Sequence, residues 1–379
     1  MLTPRAAHKL LITEPIYGRS PGLDLLRFAF AFWVLLVHLI PWAAAVQGSE
    51  AVPALLLKAH IFLGKMFQSE GENHPAVVGF IVLSGYCIHR NGLRSDPSQL
   101  RTYIIRRLMR IAPVFILATM AGAIMLPISA AINPQFTLVL NGMTFAEPIC
   151  LLARITTVAA MTSYFDPCAY AGNAPLGTVV AEIDLYIAYA LFFWIFVWRG
   201  RGYLMFSVII ATFGISLVVI SLASYNYQRW FQQNSFISFL PYWWIGALVV
   251  NQEVADRLRR IAPILVLFWL GFAAVVAFSA AAPVAGELKK LCYALLIAAL
   301  IVKMDTIAIS DNPMSALGRA GYSIYAFHSP VLCLGLIFGL NPILCLALAL
   351  IIGILSYRLI ELPCIQIGRQ MSARPLMVR

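Results

Sequence analysis

The sequence predicts an all-α, polytopic membrane protein of about ten transmembrane helices with both termini cytoplasmic. Three observations carry this. Hydrophobic residues make up 61% of the 379 residues and charged ones only 11%, with a mean hydropathy of +0.85, a balance foreign to soluble domains of this length. Apolar runs of spanning length recur along the chain. The basic residues gather in alternate connections between those runs. The net charge of +11 therefore does not point to a nucleic-acid partner, because it forms no stripe along one soluble face.

The runs lie near 25–46, 76–90, 111–130, 175–198, 203–224, 236–250, 263–282, 287–303, 320–340 and 342–360, allowing for tilt and short helices. Assigning alternate connections to the cytoplasm puts 21 of the 27 Lys and Arg residues there. It leaves Lys58, Lys65, Arg154, Arg229, Lys289 and Lys290 on the other side. Residues 1–22 then form a cytoplasmic segment, 23–363 the membrane domain and 364–379 a cytoplasmic tail, with no soluble catalytic domain expected. Residues 52–67, with Lys58, His60 and Lys65, are expected as a re-entrant or interfacial helix. A further span there would invert every basic connection downstream.

The first span carries Arg27 and His38. Arg19 to Arg27, followed by Phe28–Ile40 and Ala43-Ala44-Ala45, has the outline of a cleaved signal peptide. The apolar stretch instead reaches full spanning length, and a histidine is atypical of a signal core. Eleven residues make about three turns plus 20°, so Arg27 and His38 share a face roughly 16 Å apart along the axis. Alone, each reads as a snorkelling arginine or a satisfied bundle histidine. In phase at this depth they read as a site, since ionisable groups in hydrocarbon need a partner or a purpose.

After the second span come Ser84-Gly85-Tyr86 and then Arg90, Arg94, Arg101, Arg106, Arg107 and Arg110, with no lysine among them. Arginine's planar fork suits bidentate phosphate recognition. Arg106 and Arg110 stand at i, i+4 and are expected on one face. The positive-inside bias and anionic-lipid contact also explain a basic loop, and the readings do not exclude each other. The long connection 131–175 is rich in turn signals and holds Cys150 and Cys168, a candidate disulfide pair.

On the fourth span Glu182 and Tyr186 share a face while Asp184 points elsewhere. Carboxylates in an apolar span are costly, so function or an ion pair with an arginine is expected there. On the ninth span His328 lies about 10 Å from the cytoplasmic start, either as a packed, hydrogen-bonded histidine or as a proton handler. Arg358 and Glu361 stand at i, i+3 and are expected to pair structurally. The six histidines show no metal-ligand spacing.

Taken in order, these segments resemble the membrane acyltransferase family 3, the integral-membrane carbohydrate O-acyltransferases. The match comprises the Leu-Asp-x-Leu-Arg opening with His38, the Leu-Ser-Gly-aromatic turn, and Arg-Arg-x-x-Arg-Ile-x-Pro at 106–113. It continues with Glu-x-x-x-Tyr at 182–186, Tyr-Ser-Ile-Tyr-x-x-His ending at His328, and Ile-Glu-x-Pro at 360–363. Each motif alone is weak, but six in order across nearly the whole chain are specific. Two departures, Gly177-Thr178 for the family's Trp-Ser and Tyr86 for its Phe, blur the acceptor subgroup rather than the fold.

The resemblance implies a ten-helix core in the bacterial inner membrane. It implies transfer of an acyl group, commonly acetyl from acetyl-CoA as co-substrate, to a hydroxyl of a cell-surface carbohydrate or glycolipid. Arg27 and His38 match the family's essential pair; Glu182, Tyr186, Arg106, Arg107, Arg110 and His328 fall in its motifs.

The expected donor-binding residues are Arg27, Arg106, Arg107, Arg110, Ser84 and Tyr186. The expected catalytic residues are His38, Arg27, Glu182 and His328. His38 would act as general base or transient acyl carrier, Glu182 would orient or acidify a partner, and His328 would handle a second proton. An apolar setting keeps such a ring neutral and able to accept a proton. No metal is expected. A proton-coupled transporter or flippase of a glycolipid or small metabolite is the alternative from another class. Against it, the arginines crowd one face and no inverted pair of broken helices is evident.

Overall fold

The computed structural model describes residues 20–67, 73–90, 98–136, 173–199, 201–278, 283–310 and 312–373. Among them every regular element is helical. Arg94, Cys150 and Cys168, with most of the 131–175 connection, lie outside these residues.

Helix α1 (Pro21–Gln47) begins at Ser20, whose side chain accepts from the Leu23 amide, with Pro21 in the first turn and Asp24 near the positive helix end. It is followed by α2 (Ala54–Phe67), α3 (Pro75–Arg90) and α4 (Ser98–Ile132). Next come α5 (Leu176–Arg199), α6 (Arg201–Leu222), the short amphipathic α7 (Tyr225–Asn234) and α8 (Phe236–Leu248). The chain continues through α9 (Gln252–Phe278), α10 (Pro283–Thr306), α11 (Pro313–Arg319), α12 (Gly321–Ile337) and α13 (Pro342–Ser356). A π-helical turn at Tyr357–Glu361 leads into α14 (Leu362–Ala373).

Each of the ten apolar runs falls on a helix, but the helices differ in kind. Among the described residues, five are long and apolar enough to cross a membrane: α1, α4, α6, α9 and the run Pro342–Ser372. A sixth span arises if α11 and α12, bent by 75°, are taken together. Helices α3 and α8 are shorter apolar segments. Helix α10 carries Glu287, Lys289 and Lys290 near its start, with Lys303 and Asp305 near its end. A count of ten rests on the apolar runs, and the side on which the termini lie on the basic-residue pattern. Helix α2 buries none of its residues, as an interfacial segment would.

The core is built around α8, whose Phe239, Tyr242, Trp243 and Trp244 are fully buried and which packs along α3. Two glycines permit that crossing. A Cβ on Gly85 would lie 1.9 Å from the Trp243 carbonyl oxygen, and one on Gly246 would lie 1.9 Å from that of Val82. Small residues at a crossing let backbones approach, the usual solution where water supplies no drive for association.

Two of the charges at the start of α10, Glu287 and Lys290, are compensated locally. Glu287 pairs with Lys290 and accepts from Gln232 Nε2 at 2.9 Å and from the Tyr242 hydroxyl at 2.7 Å. A buried charge is tolerable when its lone pairs are filled in this way.

Candidate active site

Five helices, α1, α3, α4, α5 and α12, wall a cavity of about 100 Å³. Its polar lining includes Arg27, Ser84, Arg107, Arg110 and Tyr186, five of the six expected donor-binding residues, together with Glu182. The sixth, Arg106, is exposed and does not line it. Helix α4 thus turns Arg107 and Arg110, three residues apart, toward the cavity, rather than Arg106 with Arg110.

The three cavity arginines differ in their commitments. Arg27 pairs with Asp24 one turn earlier, itself 4% exposed, and its Nη2 donates to Cys87 Sγ at 3.0 Å. Arg110 Nε lies 3.6 Å from Glu361 Oε1. Arg107 instead lies over aromatic faces, 5.6 Å from the Tyr186 ring centroid and 5.8 Å from that of Tyr103. Its buried Nε has no hydrogen-bond partner among the described residues. Arg107 thus keeps an unfilled Nε donor, and Arg110 meets Glu361 at its Nε alone.

Through Tyr186, over which Arg107 lies, runs a hydrogen-bond chain whose direction is fixed by its ends. The indole N–H of Trp243 can only donate, and it donates to Ser84 Oγ at 3.4 Å. Ser84 lies 3.1 Å from the Tyr186 hydroxyl, which donates to Glu182. The Ser84 hydroxyl therefore donates to Tyr186, and every proton in the chain points toward the carboxylate. The i, i+4 spacing of Glu182 and Tyr186 places them in contact, as expected.

His38 and His328 meet away from this cavity. His328 is fully buried on α12, and His38 is half-buried on α1. Their rings lie 5.0 Å apart with a 2.9 Å contact between His38 Nδ1 and His328 Nε2. His328 Nδ1 lies 2.5 Å from the Tyr325 carbonyl oxygen, an acceptor only, so that nitrogen carries the proton. In a neutral pair Nε2 of His328 must then accept, and His38 Nδ1–H donates to it. The lone pair of His38 is left on Nε2. The Trp42 ring flanks His38 at 5.0 Å between centroids.

Two aromatic rings stand between the cavity and the histidines. Phe80 and Tyr325 both line the cavity, with centroids 5.8 Å apart, and the Tyr325 ring lies 5.5 Å from that of His328. The Tyr325 hydroxyl donates to the Pro175 carbonyl at 3.0 Å, fixing the ring at the start of α5. Arg27 and His38, legible together on one helix face, thus part company: Arg27 lines the cavity and His38 does not.

Several residues of the site carried no separate signal in the sequence. Cys87 and Trp243 are found only through their contacts, and Asp24, present in the opening motif, gains its role as the partner of Arg27. Glu361, expected to pair with Arg358, instead reaches Arg110 and accepts from the Ser323 hydroxyl at 2.7 Å.

A family model described as "Acyltransferase domain" matches residues 20–358, nearly the whole chain. No curated protein and no solved structure matches.

Proposed function

The chain belongs to the acyltransferase family 3, and from that premise we propose that it moves an acyl group, by default acetyl, from acyl-CoA to a hydroxyl of a cell-surface carbohydrate or glycolipid. The observation that carries this reading is the ordered pair of histidines. His328 takes the Nδ1 proton of His38 as a hydrogen bond and leaves Nε2 as a base.

In this mechanism the acceptor hydroxyl gives its proton to His38 Nε2 as its oxygen attacks the thioester carbonyl. Collapse of the tetrahedral intermediate breaks the carbon–sulfur bond. The departing thiolate of coenzyme A then takes the proton back from His38. His328 holds the ring in one tautomer and one orientation throughout, and its own second nitrogen is occupied by the Tyr325 carbonyl. Positioning of the hydroxyl against the thioester can supply a large share of the barrier reduction.

The donor's phosphates belong with the arginines that line the cavity. Arg107 offers an uncommitted guanidinium edge, and Arg27 and Arg110 are already oriented by carboxylates. With ten spans and cytoplasmic termini, that cavity faces the cytoplasm, where acyl-CoA is found, and the protein is a multi-pass protein of the bacterial inner membrane. The thioester arm would then pass between Phe80 and Tyr325 to reach His38.

Purified protein in detergent or nanodiscs should bind acetyl-CoA and consume it when a glycan acceptor is supplied. Affinity should fall as salt rises, because the phosphate contacts are ionic. Glycolipid transport by the reconstituted protein without donor consumption would overturn this reading in favour of a flippase.

A further inference from the structure

Glu361 lies 251 positions from Arg110 in the chain, yet its fully buried carboxylate is the charge that Arg110 meets. The π-helical turn Tyr357–Glu361 brings it there. A π turn interrupts the regular progression of side chains around a helix, and such turns are frequent at functional sites. One carboxylate oxygen, Oε2, accepts from Ser323 at 2.7 Å. The other, Oε1, has no hydrogen bond among the described residues and lies 3.6 Å from Arg110 Nε. The same joint is tied a second time, one residue along, where the Tyr322 hydroxyl donates to the Ile111 carbonyl at 3.0 Å.

The contact falls at the Nε edge of the guanidinium. It leaves the two terminal nitrogens, the pair that can grip a phosphate in bidentate fashion. We propose that Glu361 is a positioning residue that holds Arg110 by its Nε edge so that its terminal nitrogens meet a phosphate of the acyl-CoA donor. This rests on the donor reading given above. Because Ser323 opens the helix that carries Tyr325 and His328, the same carboxylate also sets the donor arginine against the histidine-bearing helix.

The test is acetyl-CoA affinity of the purified full chain by titration calorimetry. Glu361→Gln keeps an acceptor for Ser323 and loses the charge. It should weaken binding about tenfold, and in an Arg110→Ala background it should add nothing. Unchanged affinity in the single variant, or the same loss in the Arg110→Ala background, would overturn the proposal. Should Glu361→Gln fail to fold, Glu361→Asp keeps the charge and withdraws it from Nε; a loss of affinity that vanishes in the Arg110→Ala background supports the proposal, and wild-type affinity overturns it. Failure of the wild type to bind acetyl-CoA would instead remove the donor reading itself, and this inference with it.

Discussion

His38 Nδ1 donates to His328 Nε2 across 2.9 Å, and the Tyr325 carbonyl on the far side of His328 fixes the direction of that bond. Two helices far apart in the chain thereby produce one basic nitrogen of defined position. The arrangement makes His328 a positioning residue rather than a second base, because neither of its nitrogens is available.

His328→Ala should therefore lower kcat by about 100-fold, the usual cost of a misplaced reacting group, while leaving acetyl-CoA affinity near wild type. Steady-state release of free thiol together with donor titration separates the two effects. An equal loss of donor affinity would place His328 in the donor site instead.

Arg107→Ala should raise the KM for acetyl-CoA about tenfold or more, because it removes the guanidinium with an unfilled donor. Arg106→Ala should stay within about twofold, since Arg106 is exposed and away from the cavity. Comparing both variants across a salt series checks the order.

That contrast shows what the sequence could and could not reveal. Helical phase alone placed Arg27 with His38 and Glu182 with Tyr186, because both relations stay within one regular helix. It did not select Arg107 over Arg106, since the rotation of a helix about its axis is set by its neighbours. The partner of Glu361 was hidden for a related reason. The i, i+3 rule that pointed to Arg358 assumes a continuous α-helix, and a π turn occupies those residues. Nor could any local pattern bring His328 to His38, a contact made only by packing α12 against α1. The apolar runs gave the helices reliably, but α3, α8 and α10 depart from the length or apolarity of an ordinary span.

Tyr186→Phe should leave Ser84 without its acceptor and Glu182 without its donor. Breaking a chain of this kind costs about 1–3 kcal/mol for each polar group left buried and unpaired. A lower melting temperature in detergent, with kcat reduced less than in His328→Ala, is the expected outcome. Nanoscale fluorimetry beside the thiol-release assay measures both.

Gly85→Val should disrupt the crossing of α3 and α8, because its Cβ would sit 1.9 Å from the Trp243 carbonyl oxygen. Overpacking a tight interface typically costs about 1–3 kcal/mol or more. The loss should appear as reduced yield of folded protein and a lower melting temperature. Leu55→Val, on the exposed face of α2, should leave both near wild type.

The central claim is that Nε2 of His38 is the base for acyl transfer. The most direct measurement is mass spectrometry of the surface glycans of cells expressing the wild type or His38→Ala at matched membrane levels. Loss of the acyl ester with His38→Ala, while the purified variant still binds acetyl-CoA, is the predicted result. Acyl ester at the wild-type level in the His38→Ala cells would contradict the account.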